Sequence, residues 1–316
     1  MLMESSSAFQ GEALRQNASS EPLYFLYHVP KCAGRTIDRH LGTFAPEGSY
    51  YRSRKRKGPT RFFRTRYSLA GMPHPAGLKA ISGHYIGTSL ENVAGGRDVR
   101  RTVLLRDPVS HFVSYYNFRM ARYIRGGGLP YSFELAYGAT RRNFVTHFIL
   151  RNFLETPNAK LMVMSDAEKW ERVNAFLAGC WFVGDYSRCS ELIASIAPDL
   201  KVPGTATPEN IFSGAGEFAD WRPVYLGDLT AAQLSRIREE NHLDQRLWET
   251  WRDAGRDVDS ILPVPYEQGA GQNFPTAEAS RLIYQTRRRI ARRWSSPERQ
   301  MASLFGWDDD DAPQLG

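Results

Sequence analysis

An apolar run that passes through a tight turn directly into a helical pattern leaves few folds open to this chain. Leu23–Val29 (LYFLYHV) is rich in aromatic and β-branched residues, as expected of a buried strand. The turn PKCAGRT follows, and a helix is predicted to begin near Thr36. Because a helix N-terminus presents N–H groups and the positive end of its dipole, this turn with Lys31 predicts an anion-binding loop.

The same arrangement recurs farther along the chain. Arg101–Leu105 (RTVLL) predicts a strand, and Arg106 follows it directly. Asp107 is a favourable N-cap and Pro108 suits the first helical position, so a helix is predicted from there through about Ile124. The helix dipole repels a cation at this end, so Arg106 indicates that an anion binds there too.

The remaining pattern alternates strands with helices. Further strands are predicted at Lys79–His84, Lys160–Met164 and Trp181–Val183, and further helices at Ala167–Ala178, opened by a capping box at Ser165, and at Thr230–Ala254. This alternation favours an α/β fold with a mostly parallel sheet flanked by helices, in a single main domain.

The length of 316 residues fits one large domain between two tails. Residues 1–22 are predicted to be a flexible N-terminal tail without the layout of a signal peptide, residues 23–300 the folded domain, and residues 301–316 an acidic C-terminal tail. The sequence has no run of about 18 apolar residues, so no transmembrane span is predicted. Its three cysteines match no paired metal spacing and favour a reducing, cytoplasmic location.

Most of the net positive charge lies in one segment. Residues 51–66 hold eight basic residues and no acidic one, and leaving these eight out lowers the net charge from +7 to −1. A basic surface over the whole protein, as in a nucleic-acid-binding protein, is therefore not expected.

Three segments resemble the motifs of sulfotransferases that use 3′-phosphoadenosine 5′-phosphosulfate (PAPS). HVPKCAGRTI is similar to their 5′-phosphosulfate loop, and RTVLLRDPVSHFVSYY is similar to their 3′-phosphate motif, in which Arg106 and Ser114 would grip the ribose phosphate. Between them, ISGHYIG resembles the segment that places the catalytic base in the carbohydrate branch of the family, which points to His84. The resemblance covers roughly residues 23–251.

The resemblance implies a P-loop-like fold and transfer of a sulfuryl group from PAPS to a hydroxyl of a saccharide or glycolipid, with PAP as product and no metal. Lys31 and His84 would be catalytic, at the donor and at the acceptor proton respectively. The residues that would bind the donor are Lys31, Cys32, Ala33, Gly34, Arg35, Thr36, Arg106 and Ser114. Many eukaryotic relatives of this branch are anchored in the Golgi membrane, so a chain without an anchor implies a soluble, cytoplasmic, bacterial member. No nucleic-acid partner is implied.

Two other functions stay open at this point. A P-loop-type nucleotide kinase would need GxxxxGK[ST] and an acidic residue for Mg²⁺, whereas here Lys31 precedes Gly34. A non-enzymatic polyanion-binding protein would use residues 51–66 but would leave both phosphate motifs unexplained. A phosphatase role for Cys32 is disfavoured because the CX5R loop needs arginine where this chain has Asp38.

The basic segment is predicted to recruit an anionic acceptor, because it lies between the Lys31 turn and His84 in sequence. Neutralising Arg54, Lys55, Arg56 and Lys57 together is expected to raise the acceptor KM at low ionic strength and to leave donor binding intact. Added salt should erase this difference, because it screens the attraction. Initial rates at low and high salt measure both effects, and an unchanged KM with unchanged salt dependence would make the segment a bystander.

Overall fold

The computed structural model describes residues 21–55, 67–126, 128–207, 221–258 and 261. Most of the basic segment, nearly all of the predicted N-terminal tail and the whole acidic C-terminal tail lie outside these residues.

A five-stranded parallel sheet forms the centre of the described structure. Its strands are β1 (Leu23–Tyr27), β2 (Tyr50–Arg52), β5 (Ala80–Gly83), β6 (Val99–Leu105) and β7 (Phe182–Asp185). They lie side by side in the order β2-β5-β1-β6-β7, and every neighbouring pair is parallel. Strands β3 (Arg54–Lys55) and β4 (Tyr67–Ser68) pair with each other as a separate antiparallel ribbon. The predicted α/β class with a parallel sheet flanked by helices is confirmed.

Helices follow the strands as the sequence pattern indicates. They are α1 (Gly34–Phe44), α2 (Pro108–Arg125), α3 (Phe133–Ala139), α4 (Phe144–Phe148) with a π-helical extension (Ile149–Phe153), α5 (Asn158–Val163), α6 (Asp166–Ala178), α7 (Cys189–Leu200), α8 (Ala231–Glu240) and α9 (His242–Trp251). Among the described residues, no helix is both long enough and apolar enough to cross a membrane.

Strand β1 is the middle of the sheet, and all five of its residues are buried. The chain leaves β1 toward β2 on one side and leaves β6 toward β7 on the other. The carboxyl ends of β1 and β6 therefore border the crevice where open α/β sheets usually bind ligands.

The helix starts predicted from capping residues are confirmed. Asp107 accepts a hydrogen bond from the Ser110 amide at 2.9 Å, which satisfies one N–H group of the first turn of α2. Ser165 and Glu168 form the predicted capping box, and Thr230 caps α8 in the same way.

The predicted strand at Lys160–Met164 is wrong, because these residues belong to α5 and the turn after it. Leu161 and Met164 are buried, whereas Met162 and Val163 are 77% and 82% exposed. Burial every third residue is helical spacing, but a run of four apolar residues does not show its period in sequence.

The single helix predicted over Thr230–Ala254 is interrupted, so that α8 and α9 are separate helices that meet at Asn241. The Asn241 side chain accepts a hydrogen bond from the Asn143 amide at 2.8 Å, and the Asn143 side chain accepts from the Leu243 amide at 3.0 Å. This exchange joins the starts of α4 and α9. Its two asparagines are about a hundred residues apart, so local sequence cannot reveal it.

Candidate functional site

The register of the sheet brings three of the predicted site segments to one edge. Tyr27 pairs with Gly83 on one side and with Val103 on the other. The residues that follow β1 and β5, His28 and His84, are therefore neighbours. Strand β6 continues beyond Val103, so Arg106 emerges level with the loop after β1. The predicted donor loop, His84 and Arg106 thus share the carboxyl edge of the sheet.

Three carbonyl groups of the β1–α1 loop (residues 28–33) accept hydrogen bonds from side chains that follow other strands. His84 Nδ1 lies 2.7 Å from the His28 oxygen, His111 Nε2 lies 2.9 Å from the Pro30 oxygen, and Arg106 donates to the Lys31 oxygen at 3.1 Å. Because a carbonyl oxygen only accepts, both of these imidazole nitrogens carry their protons. The loop is therefore tied to β5, to the end of β6 and to α2.

The loop reaches helix α1 through an unusual backbone path. Lys31 and Ala33 have φ angles of 67° and 61°, in the left-handed region that costs about 1–2 kcal/mol for a residue with a Cβ atom. Ala33 is the N-cap of α1, and no side chain caps this helix. Backbone strain of this kind is concentrated at functional sites. The amide of Cys32 already donates to the Val29 oxygen at 3.2 Å, so it belongs to the turn.

Arg106 is held in one orientation by three contacts. Its Nε donates to Ser110 Oγ at 2.9 Å, and its guanidinium carbon lies 4.1 Å from the centre of the Tyr186 ring. Together with the bond to the Lys31 oxygen, these contacts fix the guanidinium plane. The serine bonded to Arg106 is thus Ser110, whereas the predicted Ser114 lies one turn later on α2 and is half-buried.

The Lys31 ammonium lies against α2. Its Nζ is 4.2 Å from the centre of the Phe118 ring, and the Arg122 guanidinium approaches the same ring at 5.5 Å. Such cation–π contacts are worth about 0.5–1 kcal/mol at exposed sites, so they hold a cation only loosely. Arg35 and Thr36 lie half-buried in the first turn of α1. Positive charge is therefore concentrated beside the loop.

In contrast to these cations, the His84 side chain is a neutral base. Burial, followed by the neighbouring His28, lowers the pKa of His84 to about 3. The ring is therefore neutral at physiological pH. Since Nδ1 holds the proton that points at the His28 oxygen, the proton-accepting lone pair is on Nε2.

Two residues in this region have roles that the motifs do not indicate. His111 is 1% exposed, burial lowers its pKa to about 4, and its ring lies 5.2 Å from that of Phe144. It supports the loop as a neutral donor. Asp38 is 7% exposed and lies beneath His28. A polar side chain at a position that helical spacing places on a mostly apolar face was the available signal for each of them.

Cys32 is a packing residue in this structure. Its side chain is 2% exposed, and burial raises the pKa of its thiol to about 12. A thiolate nucleophile is therefore disfavoured at this position. Among the described residues, no group of His, Cys, Asp and Glu side chains is arranged to hold a metal ion.

Comparison with known proteins identified no matching family model, no matching curated protein and no matching solved structure.

Gly34 is the position where the site tolerates no side chain. A Cβ atom placed there would lie 1.6 Å from the His28 ring, so Gly34→Ala is expected to displace that ring and to lower the free energy of unfolding by about 1–3 kcal/mol. Gly42→Ala, on the same helix with its nearest neighbour 4.0 Å away, is the control and should stabilise α1 by up to about 1 kcal/mol. Urea unfolding measures the free energy of unfolding of both variants. Equal stability of Gly34→Ala and wild type would contradict the predicted clash with His28.

Proposed function

We propose that this chain is a sulfotransferase that moves a sulfuryl group from PAPS to a hydroxyl group of a saccharide or glycolipid. The observation that carries the proposal is the convergence on the β1–α1 loop: Arg106 and His84, from two separate motifs, both bond to its carbonyl groups. The cations Lys31 and Arg106 suit the two phosphate groups of the donor, and His84 suits the acceptor hydroxyl. The uncapped start of α1 suits the 5′-phosphate.

In the proposed reaction, His84 Nε2 takes the proton of the acceptor hydroxyl. The hydroxyl oxygen forms a bond to sulfur while the bond from sulfur to the 5′-phosphate oxygen breaks, which yields the sulfate ester and PAP. Lys31 leaves its loose contact with Phe118 and neutralises the charge that develops on the departing oxygen. His84 then releases its proton to solvent. The cytoplasmic location belongs to the proposal, and the cysteine content supports it.

The donor site is expected to discriminate PAP from AMP, because only PAP carries the 3′-phosphate that Arg106 would bind. PAP should bind more tightly by about 10- to 100-fold, the range expected for hydrogen bonds to a charged group. Calorimetry on the full chain measures both affinities. Arg106→Gln should abolish the difference, whereas Arg222→Gln, at an arginine whose side chain is 72% exposed, should preserve it. Equal affinities in the wild-type chain would remove the 3′-phosphate assignment.

His84→Ala is expected to reduce turnover by about 10²–10⁴-fold, the usual cost of losing a general base. PAP affinity should change far less than turnover, because His84 is assigned to the acceptor and the loop keeps its bonds to Arg106 and His111. His74→Ala, at an exposed histidine outside the site, is the matched control and should leave turnover unchanged. An acceptor library is incubated with PAPS in parallel samples with and without EDTA, and mass spectrometry measures the sulfated product. Near-wild-type turnover by His84→Ala would mean that another residue is the base.

A further inference from the structure

A buried carboxylate lies where three elements meet beneath the site. Asp38, on α1, accepts hydrogen bonds from Ser82 Oγ on β5 at 2.5 Å and from Tyr50 OH on β2 at 3.1 Å. Arg52 Nε, also on β2, lies 2.9 Å from Asp38 Oδ2. Burial alone raises the pKa of a carboxyl group, but His28, Arg52 and Ser82 outweigh it and hold the pKa of Asp38 well below its usual range. Asp38 is therefore a fixed negative charge.

The His28 ring stands between this charge and the proposed base. His28 Nδ1 is 3.7 Å from Asp38 Oδ2, too far for a hydrogen bond, so this buried nitrogen has no hydrogen-bond partner, whereas Oδ2 pairs with Arg52. On its other side, the His28 ring stacks on the His84 ring, with centres 4.0 Å apart and planes 27° apart. The bare Cα atom of Gly34 is what leaves room for this ring.

We propose that Asp38 and His28 are positioning residues for His84: the His28 ring and carbonyl fix the orientation of the His84 imidazole, and the Asp38 carboxylate supplies the negative charge that favours its protonated form. The inference rests on the proposed function, since it assigns a support to the base of that reaction. It also explains why a charged carboxylate is buried at this place, although burying apolar side chains there would cost less free energy.

The groups that face His84 determine how its protonated form is stabilised. Asp38 favours the imidazolium that forms when His84 takes a proton, whereas His28 and Arg52 disfavour it. The other walls are the rings of Tyr85 and Phe148, which add no charge at neutral pH. Removing the carboxylate takes away this favourable charge and leaves the Arg52 charge, which disfavours the imidazolium. The expected penalty therefore falls on kcat and spares donor binding.

Asp38→Asn tests the proposed role of the Asp38 charge, because the amide side chain is nearly isosteric but neutral. We expect kcat to fall by about 10- to 100-fold, by analogy with the cost of removing the outer partner of a metal-bound histidine. PAP affinity should not change. The double variant Asp38→Asn/His84→Ala should be no slower than His84→Ala, because Asp38 acts through His84. Asp199→Asn is the matched control: that carboxylate pairs with Arg100 and Tyr24 at the opposite end of the strands.

A second readout needs no turnover. The Nδ1–H proton of His84 should give a downfield proton NMR signal at neutral pH, assigned by its loss in His84→Ala. The signal should weaken in Asp38→Asn, because a freed His28 ring exposes His84 to water, and should persist in Asp199→Asn. If Asp38→Asn does not fold by circular dichroism, His28→Leu, which removes the ring between the two groups, is subjected to the same measurements.

The outcomes separate this inference from the proposed function. A wild-type chain that neither binds PAP nor forms product refutes the proposed function, and the NMR signal alone then decides whether Asp38 positions His84. A wild-type chain that is active, with Asp38→Asn retaining wild-type kcat, overturns the inference and leaves the proposed function intact. An unchanged His84 signal in Asp38→Asn overturns the positioning claim in either case.

Discussion

The hydrogen bonds that three backbone carbonyls of the β1–α1 loop accept hold the site together. His84, His111 and Arg106 each approach this loop from a different part of the chain, and each ends on one of its oxygens. A loop with two left-handed residues is costly by itself, so it persists only where its surroundings determine it. Here the bonds that impose the loop conformation also orient the side chains that the proposed chemistry needs.

The two sides of the site differ in charge for structural reasons. On the side of α2, Lys31, Arg106 and Arg122 lie over aromatic rings, which stabilise cations without neutralising them. On the side of β5, burial lowers the pKa of His84, so its ring is neutral. The pKa of the nearby Asp38 is also lowered, so this carboxylate is ionised. Anion binding and proton acceptance require these opposite environments, and the sheet edge provides them on the two sides of β1.

The helices that cover this edge are positioned by interactions far from it. Asp244, buried on α9, accepts hydrogen bonds from the amides of Val145 and Thr146 at 2.9 and 2.8 Å, so it caps α4 from another helix. Helix α4 in turn places Phe144 against His111 and Phe148 against His84. The exchange of caps between α4 and α9 therefore sets the aromatic wall behind both histidines.

Local sequence was sufficient for much of the fold. Strands β1 and β6 are predicted by runs of aromatic, aliphatic and β-branched residues, and the starts of α2, α6 and α8 by capping residues that act within a few positions. It failed at Lys160–Met164, where the apolar run is too short to show its period, and at Asn241, where a distant asparagine ends the helix.

For the site, the sequence by itself determined which residues leave the carboxyl ends of the strands: Lys31, His84 and Arg106. Tertiary structure decided what they touch. The register of parallel strands set His28 beside His84, and the loop after β1 gave Arg106 the Lys31 oxygen as a partner. It also gathered Asp38, Arg52 and Ser82 beneath His28. Hydrogen bonds and ring stacking act over a few ångströms, and only the folded sheet brings such sequence-distant groups within that range.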